Sequence, residues 1–250
     1  MLNCDINDLT EDILNQALNG QKIDIVVGGP PCQSYSTLGK RQNDERANLF
    51  MQYKRILKIL RPKAFVFENV TGILSMNNLF KQIQIEFEEL GYDLKHKVLD
   101  AVDYGVPQHR ERVILVGIKE KNNFVYPSPT HGEGLKPYVT LREAIGDLPV
   151  LRSGEENNIY ATSATNEFLK FVRKNADIYV GEHKAPKNGE HLIKIMQTLK
   201  DGESKDDLPE NIRPKSGYGN TYAKLWWDKP STTITRNFAC PSSSRCIHPR

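Results

Sequence analysis

Asp24-Ile25-Val26-Val27-Gly28-Gly29-Pro30-Pro31-Cys32-Gln33 is the stretch on which the reading of this chain turns. A short apolar, β-branched run, the signature of a buried strand, stops at two glycines and two prolines, and a cysteine follows at once. Gly28 and Gly29 let the backbone approach a ligand closely, while Pro30 and Pro31 stiffen the exit, so Cys32 begins a loop of fixed direction at a strand tip. A thiol held in that way suits nucleophilic chemistry; a lone cysteine among Leu and Val would suit packing instead. The loop beyond it is polar and basic over 39–46, a composition that faces water or a polyanion and is equally that of an ordinary solvated charge run.

Outward from this stretch, strands and helices alternate. Thr10 and Gly20 frame a short helix over 10–18, and the strand just described covers 23–27. Leu49, Phe50, Tyr53, Ile56, Leu57 and Leu60 recur at helical spacing before Arg61-Pro62, which predicts a helix over 48–60. A strand at 64–67, a helix at 78–90 ending at Gly91, and strands at 92–99 and 112–118 complete the pattern. Such alternation predicts an α/β domain with a mostly parallel sheet covered on both faces, with ligands beyond the carboxyl ends of the strands. From about Lys119 the pattern gives way to Pro, Gly, Asn and charged residues, with short helices at 167–174 and 192–199. Two regions are expected, 1–118 and 119–250.

Composition narrows the class. A chain of 250 residues can bury a sizeable core, and its net charge of +3 leaves a nucleic-acid partner open. The cysteines at 4, 32, 240 and 246 have no metal-ligand spacing and no disulfide framework, so no metal is expected and a reducing cytoplasm suits the thiol. No apolar run reaches the roughly 20 residues needed to cross a bilayer, and 1–20 has no secretory pattern.

Two further segments carry chemistry. Phe65-Val66-Phe67-Glu68-Asn69-Val70 ends an apolar strand with an acid and an amide; an ionised carboxyl there is costly unless it is paired or used. A helix-capping or salt-bridged Glu68 is the plain alternative. Gln108-His109-Arg110-Glu111-Arg112 offers two guanidinium forks two residues apart, on one side of an extended chain, as a surface ion-pair cluster also would.

In this order the Pro31-Cys32-Gln33, Glu68-Asn69-Val70 and Gln108-to-Arg112 segments resemble the cytosine-5 DNA methyltransferase family. The similarity runs over 5–118 and returns at 222–235 and 247–250. It implies a Rossmann-like sheet using S-adenosylmethionine, followed by a mixed, loop-rich DNA-recognition region. It assigns Cys32 as the thiolate that adds to C6 of cytosine, Glu68 as the acid meeting charge at N3, and Arg110 and Arg112 as the arginines that hold the base edge and that acid. Asn69, Val70 and Gln108 are supporting residues. Gln33, Ser36, Gly39 and Lys40 belong to the loop that closes over double-stranded DNA. Asp5 and Ile6 match the adenine contact, and Pro31 and Leu49 sit where the family lines the cofactor pocket. Base contact by Trp226 or Trp227 is weighed against burial, which is the usual fate of such apolar bulk.

The family's aromatic-x-Gly-x-Gly-Gly turn, its ribose-gripping acid and its late Gly-Asn segment have no counterpart in the sequence. The resemblance places the first two ahead of Met1 and the third beyond Arg250, which predicts a sheet truncated at its N-terminal end, with an apolar edge and weak or no cofactor binding alone. The expected activity is cytosine-5 methylation of DNA in a restriction-modification system with a cognate endonuclease. The alternative is an inactive fragment or subunit that binds DNA and needs a complementary methyltransferase chain. A cysteine hydrolase needs a histidine base, and neither His96 nor His109 has a recognisable orienting partner in sequence.

Overall fold

The computed structural model describes residues 2–31, 49–76, 78–121, 123–215 and 217–249. Contacts divide the chain into two compact units, residues 1–99 with 111–128, and residues 100–110 with 129–250.

The first unit is an α/β sheet layer with helices. α1 (Glu11–Leu18) is capped by Thr10, whose hydroxyl accepts from the Ile13 amide. β1 (Ile25–Gly28), α2 (Leu49–Leu60), β2 (Ala64–Val70), α3 (Leu79–Glu88), β3 (Asp93–Asp100) and β4 (Glu111–Ile118) follow, and the strands lie in the order β1-β2-β4-β3.

β1 is parallel to β2, with Val26 opposite Phe65, but β4 is antiparallel to β2, so the sheet is mixed and not mostly parallel. The reason lies in the connection from β3 to β4. Only residues 101–110 join two adjacent strands, too few for the crossover helix that a parallel return needs. The long antiparallel pairing also carries β2 to Val70, opposite Arg112, so Glu68 and Asn69 lie inside the strand and not past its end.

Strand alternation sends Phe65 and Phe67 to one face, where Val113 and Leu115 of β4 join them. Both α2 and α3 pack there, through Phe50, Tyr53, Leu57, Ile83 and Phe87. Their aromatic rings meet edge-on or tilted, with Phe65 and Phe87 centroids 4.7 Å apart and Phe50 and Phe87 5.5 Å apart. Among the described residues the other face is covered unevenly: Val116 of β4 is buried there, whereas Ile25 and Val27 of β1 stand exposed.

The second unit is loop-rich. It holds α4 (Leu141–Ile145), α5 (Glu167–Val172), α6 (Glu190–Thr198) and the short parallel strands β5 (Ala223–Lys224) and β6 (Arg245–Ile247). One apolar cluster joins α6 to Leu208, Ile212 and Ile247; another packs Leu141, Leu225 and Trp227 together. Trp227 is buried there, as packing of a large apolar side chain requires, and Arg245 lies 4.1 Å above the Trp226 ring. Buried Asp147 is paired with Arg173 at 2.8 Å. No described helix is long and apolar enough to cross a membrane.

Candidate active site

β1 delivers the chain to Gly28-Gly29-Pro30-Pro31, and the two glycines are needed for space. A Cβ at Gly28 would lie 2.5 Å from the Tyr53 ring, and one at Gly29 would lie 2.7 Å from Glu68 Oε2. The Glu68 carboxyl thus sits against the backbone of the strand exit. Cys32, and with it Gln33, Ser36, Gly39 and Lys40, lies outside the described residues.

Register brings Glu68 to Arg112. Val70 is opposite Arg112 and Glu68 opposite Ile114, so Glu68 and Arg112 are diagonal neighbours on one face. Arg112 Nε donates to Glu68 Oε1 at 2.7 Å, and its NH1 donates to the Glu111 carbonyl at 2.7 Å. One carboxyl oxygen is therefore anchored and the other lies beside Gly29. With side chains 39% and 20% exposed, Glu68 and Arg112 form a pair that a ligand can still reach.

Asn69 points to the opposite face and is buried. Its Nδ2 donates to the Pro30 carbonyl at 3.0 Å and its Oδ1 accepts from the Val70 amide at 2.9 Å, so it ties β2 to the residue two places before Cys32. Val70 is exposed at the end of the strand.

In the second unit, Gln108 is a strut. Its Oε1 accepts from the Ile234 amide at 3.0 Å, and its backbone bridges to Ser231. Arg110 is held through its amide, which donates to Asp100 Oδ1 at 2.7 Å. The chain passes from one unit to the other between Arg110 and Glu111.

Of the residues matched to cofactor contacts, Asp5 is exposed, with Oδ1 accepting from the Asn7 amide and side chain at 2.8 Å each. The Ile6 carbonyl accepts from Arg55 at 2.7 Å and the Leu9 carbonyl at 2.8 Å, which fastens this turn to α2, the helix that Leu49 begins. Pro31 is exposed and Leu49 half-buried. Asp5 offers an accepting carboxylate, and Ile6, Pro31 and Leu49 offer apolar side chains, the residue types that an adenine amino group and ring call for.

Three contributors escape the sequence: Tyr53, whose hydroxyl donates to the Val66 carbonyl at 2.9 Å; Arg55; and Asp100. Tyr53 and Arg55 read as ordinary helix residues, and Asp100 lies ten residues from the backbone it holds. Burial raises the Tyr53 phenol above its ordinary range. Among the described residues no cluster of side chains suited to a metal ion is present.

The model of the C-5 cytosine-specific DNA methylase family matches residues 2–236. The chain belongs to that family. It is 35% identical over 241 residues to the Type II methyltransferase M1.HphI of Haemophilus parahaemolyticus, covering 94% of this chain and 58% of that protein. It is 34% identical over 272 residues to M.DdeI of Desulfomicrobium norvegicum, covering 99% of this chain and 64% of that one. The chain thus spans less than two thirds of these curated relatives. A crystal structure described as a DNA modification methyltransferase encoded within an E. coli prophage shares the fold at TM-score 0.70 and 20% identity, over 99% of this chain and 71% of that one.

Proposed function

We propose that this family member takes part in cytosine-5 methylation of DNA in a restriction-modification system, with residues 1–118 as its partial catalytic region and 119–250 as its target-recognition region and the start of the return to the catalytic domain. The observation that carries the reading is the Glu68–Arg112 pair, set against Gly29 at the exit that leads to Cys32.

In this mechanism a cytosine taken out of the duplex meets the Cys32 thiolate, which adds to C6 and forms an S–C6 bond. The displaced π electrons make C5 nucleophilic, and Glu68 meets the charge at N3 with a hydrogen bond while Arg112 fixes its other oxygen. Arg110 holds the base edge. Once C5 carries its methyl group, loss of the C5 proton to solvent restores the double bond and expels the thiolate. S-adenosylmethionine, when bound, supplies an activated methyl group. Asp5 would accept from its adenine amino group, and Ile6, Pro31 and Leu49 would pack against it. Gln33, Ser36, Gly39 and Lys40 would close over double-stranded DNA, while Asn69, Val70 and Gln108 support the segments that carry the chemistry.

The test is transfer of labelled methyl from S-adenosylmethionine to mixed-sequence DNA by the purified chain. Label that disappears in Cys32→Ala supports the reading; no label from folded protein removes autonomous catalysis. A second reading, a DNA-binding chain that acts only with a complementary methyltransferase polypeptide, is favoured by β1, the edge strand among the described residues, where Ile25 is 60% and Val27 72% exposed. Label that appears only when such a polypeptide is added would establish it. A cognate endonuclease and residence on the nucleoid follow from the restriction-modification reading.

A further inference from the structure

A cavity of about 450 Å³ lies within the second unit, lined by His109, Tyr138, Thr140, Trp226, Lys229 and Thr232, with Asp228 and Pro230. His109 lies within the Gln108-to-Arg112 segment, and the proposed chemistry gives it no task. Its side chain is 53% exposed, yet its ring is closely held: Nδ1 lies 2.9 Å from Asp100 Oδ2. Its backbone is fixed on both sides, the amide donating to the Ser231 carbonyl at 2.9 Å and the carbonyl accepting from Thr233 Oγ1 at 2.7 Å.

Asp100 is suited to orienting an imidazole. Burial alone would raise its carboxyl, but hydrogen bonds from His109 and from the Arg110 and Val102 amides outweigh that and hold it below the ordinary carboxylate range. A carboxylate on Nδ1 keeps the proton there and leaves Nε2 for a ligand. The neutral ring presents Nε2 as an acceptor, which a phosphate oxygen cannot use; the imidazolium presents a charged donor, which it can.

The other charged groups around the ring favour an anion. Lys229 adds an ammonium group, 5.2 Å from the Trp226 ring centre. Asp228 is neutralised by Arg142, with Nε–Oδ1 at 2.5 Å and NH2–Oδ2 at 3.0 Å. Glu143 is taken up by the amide and hydroxyl of Thr140, at 2.8 Å each. Asp103 accepts from the Tyr138 hydroxyl at 3.0 Å, which fixes the ring that meets His109 edge-on with centroids 6.1 Å apart. Trp226 carries Arg245 on its ring at 4.1 Å as well as Lys229, so it is taken up by cations and a stacked base is not the ligand this wall suits.

We propose that this cavity receives a backbone phosphate of DNA, with His109, oriented by Asp100, as a ligand that engages only when protonated, and Lys229 as a permanent one. The proposal rests on the reading that the chain acts on DNA.

The experiment measures binding of a labelled mixed-sequence duplex to the full chain over a salt series at about pH 6 and about pH 8.5. Each phosphate neutralised steepens the slope of log K against log salt by about one. The unaltered chain is expected to bind about tenfold more tightly at the lower pH, with a slope steeper by about one. His109→Gln, an exposed position that keeps the fold, should remove both differences and leave binding at the higher pH unchanged. Lys229→Gln should lower the slope by about one at both pH values. A His109→Gln chain that keeps the pH dependence, a slope indifferent to pH, or failure to bind duplex at all overturns the proposal. Methyl transfer is read separately. Transfer without the His109 effect removes the phosphate site alone, whereas the His109 effect without transfer removes autonomous methylation and leaves the site standing.

Discussion

At the scale of single residues, the site depends on one hydrogen atom's worth of space. Gly29 has no conformational demand for glycine beyond room for Glu68 Oε2, so Gly29→Ala puts a methyl group 2.7 Å from that oxygen and turns the carboxyl away from its place. Methyl transfer, if the chain or its reconstituted complex supports it, is expected to fall by about 100-fold, the loss that follows from ångström-scale misplacement of a reacting group. The melting temperature should stay within a few degrees, because Glu68 is 39% exposed and can move into solvent. Arg112→Lys tests the other anchor. Lysine keeps the charge but loses the planar fork that donates to both Glu68 Oε1 and the Glu111 carbonyl, and the measured rate should fall by at least about tenfold with little change in stability. The residues of this pair were legible in the sequence as a carboxyl and two guanidinium groups. Their contact was implied by the family resemblance alone, because a diagonal pairing depends on the register between β2 and β4, which no local pattern encodes.

At the scale of elements, helix periodicity reported faithfully and strand direction did not. The apolar spacing of 48–60 and 78–90 maps onto α2 and α3 nearly end to end, since each buries one stripe against the sheet. Strand direction is set by which strands become neighbours, so the antiparallel β4 and the extension of β2 to Val70 emerged only in three dimensions. The aromatic layer beneath the sheet makes a quantitative demand. Phe87 is fully buried against Phe50, Tyr53, Phe65 and Phe67, and Phe87→Ala should cost about 3–5 kcal/mol, read by urea unfolding. Two tyrosines predict behaviour at high pH, Tyr92 of that layer and Tyr126, which meets Phe124 edge-on outside it. Burial pushes the phenols of Tyr92 and Tyr126 up to about 12, above the value of about 10 in an unfolded chain. The folded state therefore holds their protons more tightly: this contribution to stability is complete below about pH 10 and disappears as pH rises towards 12. Replacing both with Phe should flatten the decline between those values, at the cost of lower stability at neutral pH, because the Pro62, Lys95 and Ile114 carbonyls lose their donors.

At the scale of the whole molecule, the two units are interleaved in sequence. The first runs through residue 99, yields to residues 100–110, which cluster with the second unit, and resumes at 111. Sequence pattern placed one boundary near residue 118; it could not register that a ten-residue connection between two strands is held by partners more than a hundred residues on, as His109 is by Ser231 and Thr233. The interleaving bears on where the chain can be cut. A polypeptide ending at Leu99 keeps β1, β2 and nearly all of β3 but lacks β4, which lies between β2 and β3 and pairs with β2 over seven positions, Ala64 to Val70. It also loses Val113 and Leu115 from the aromatic core. A polypeptide ending at Ser128 restores all of these. Thermal unfolding followed by circular dichroism should therefore show a cooperative transition for residues 1–128 and none for 1–99, although the shorter chain retains every helix of the unit. A cooperative transition in the 99-residue chain would mean that β4 is dispensable to the sheet. That result would contradict the topology in which it joins β3 to the rest, and with it the register that brings Arg112 to Glu68.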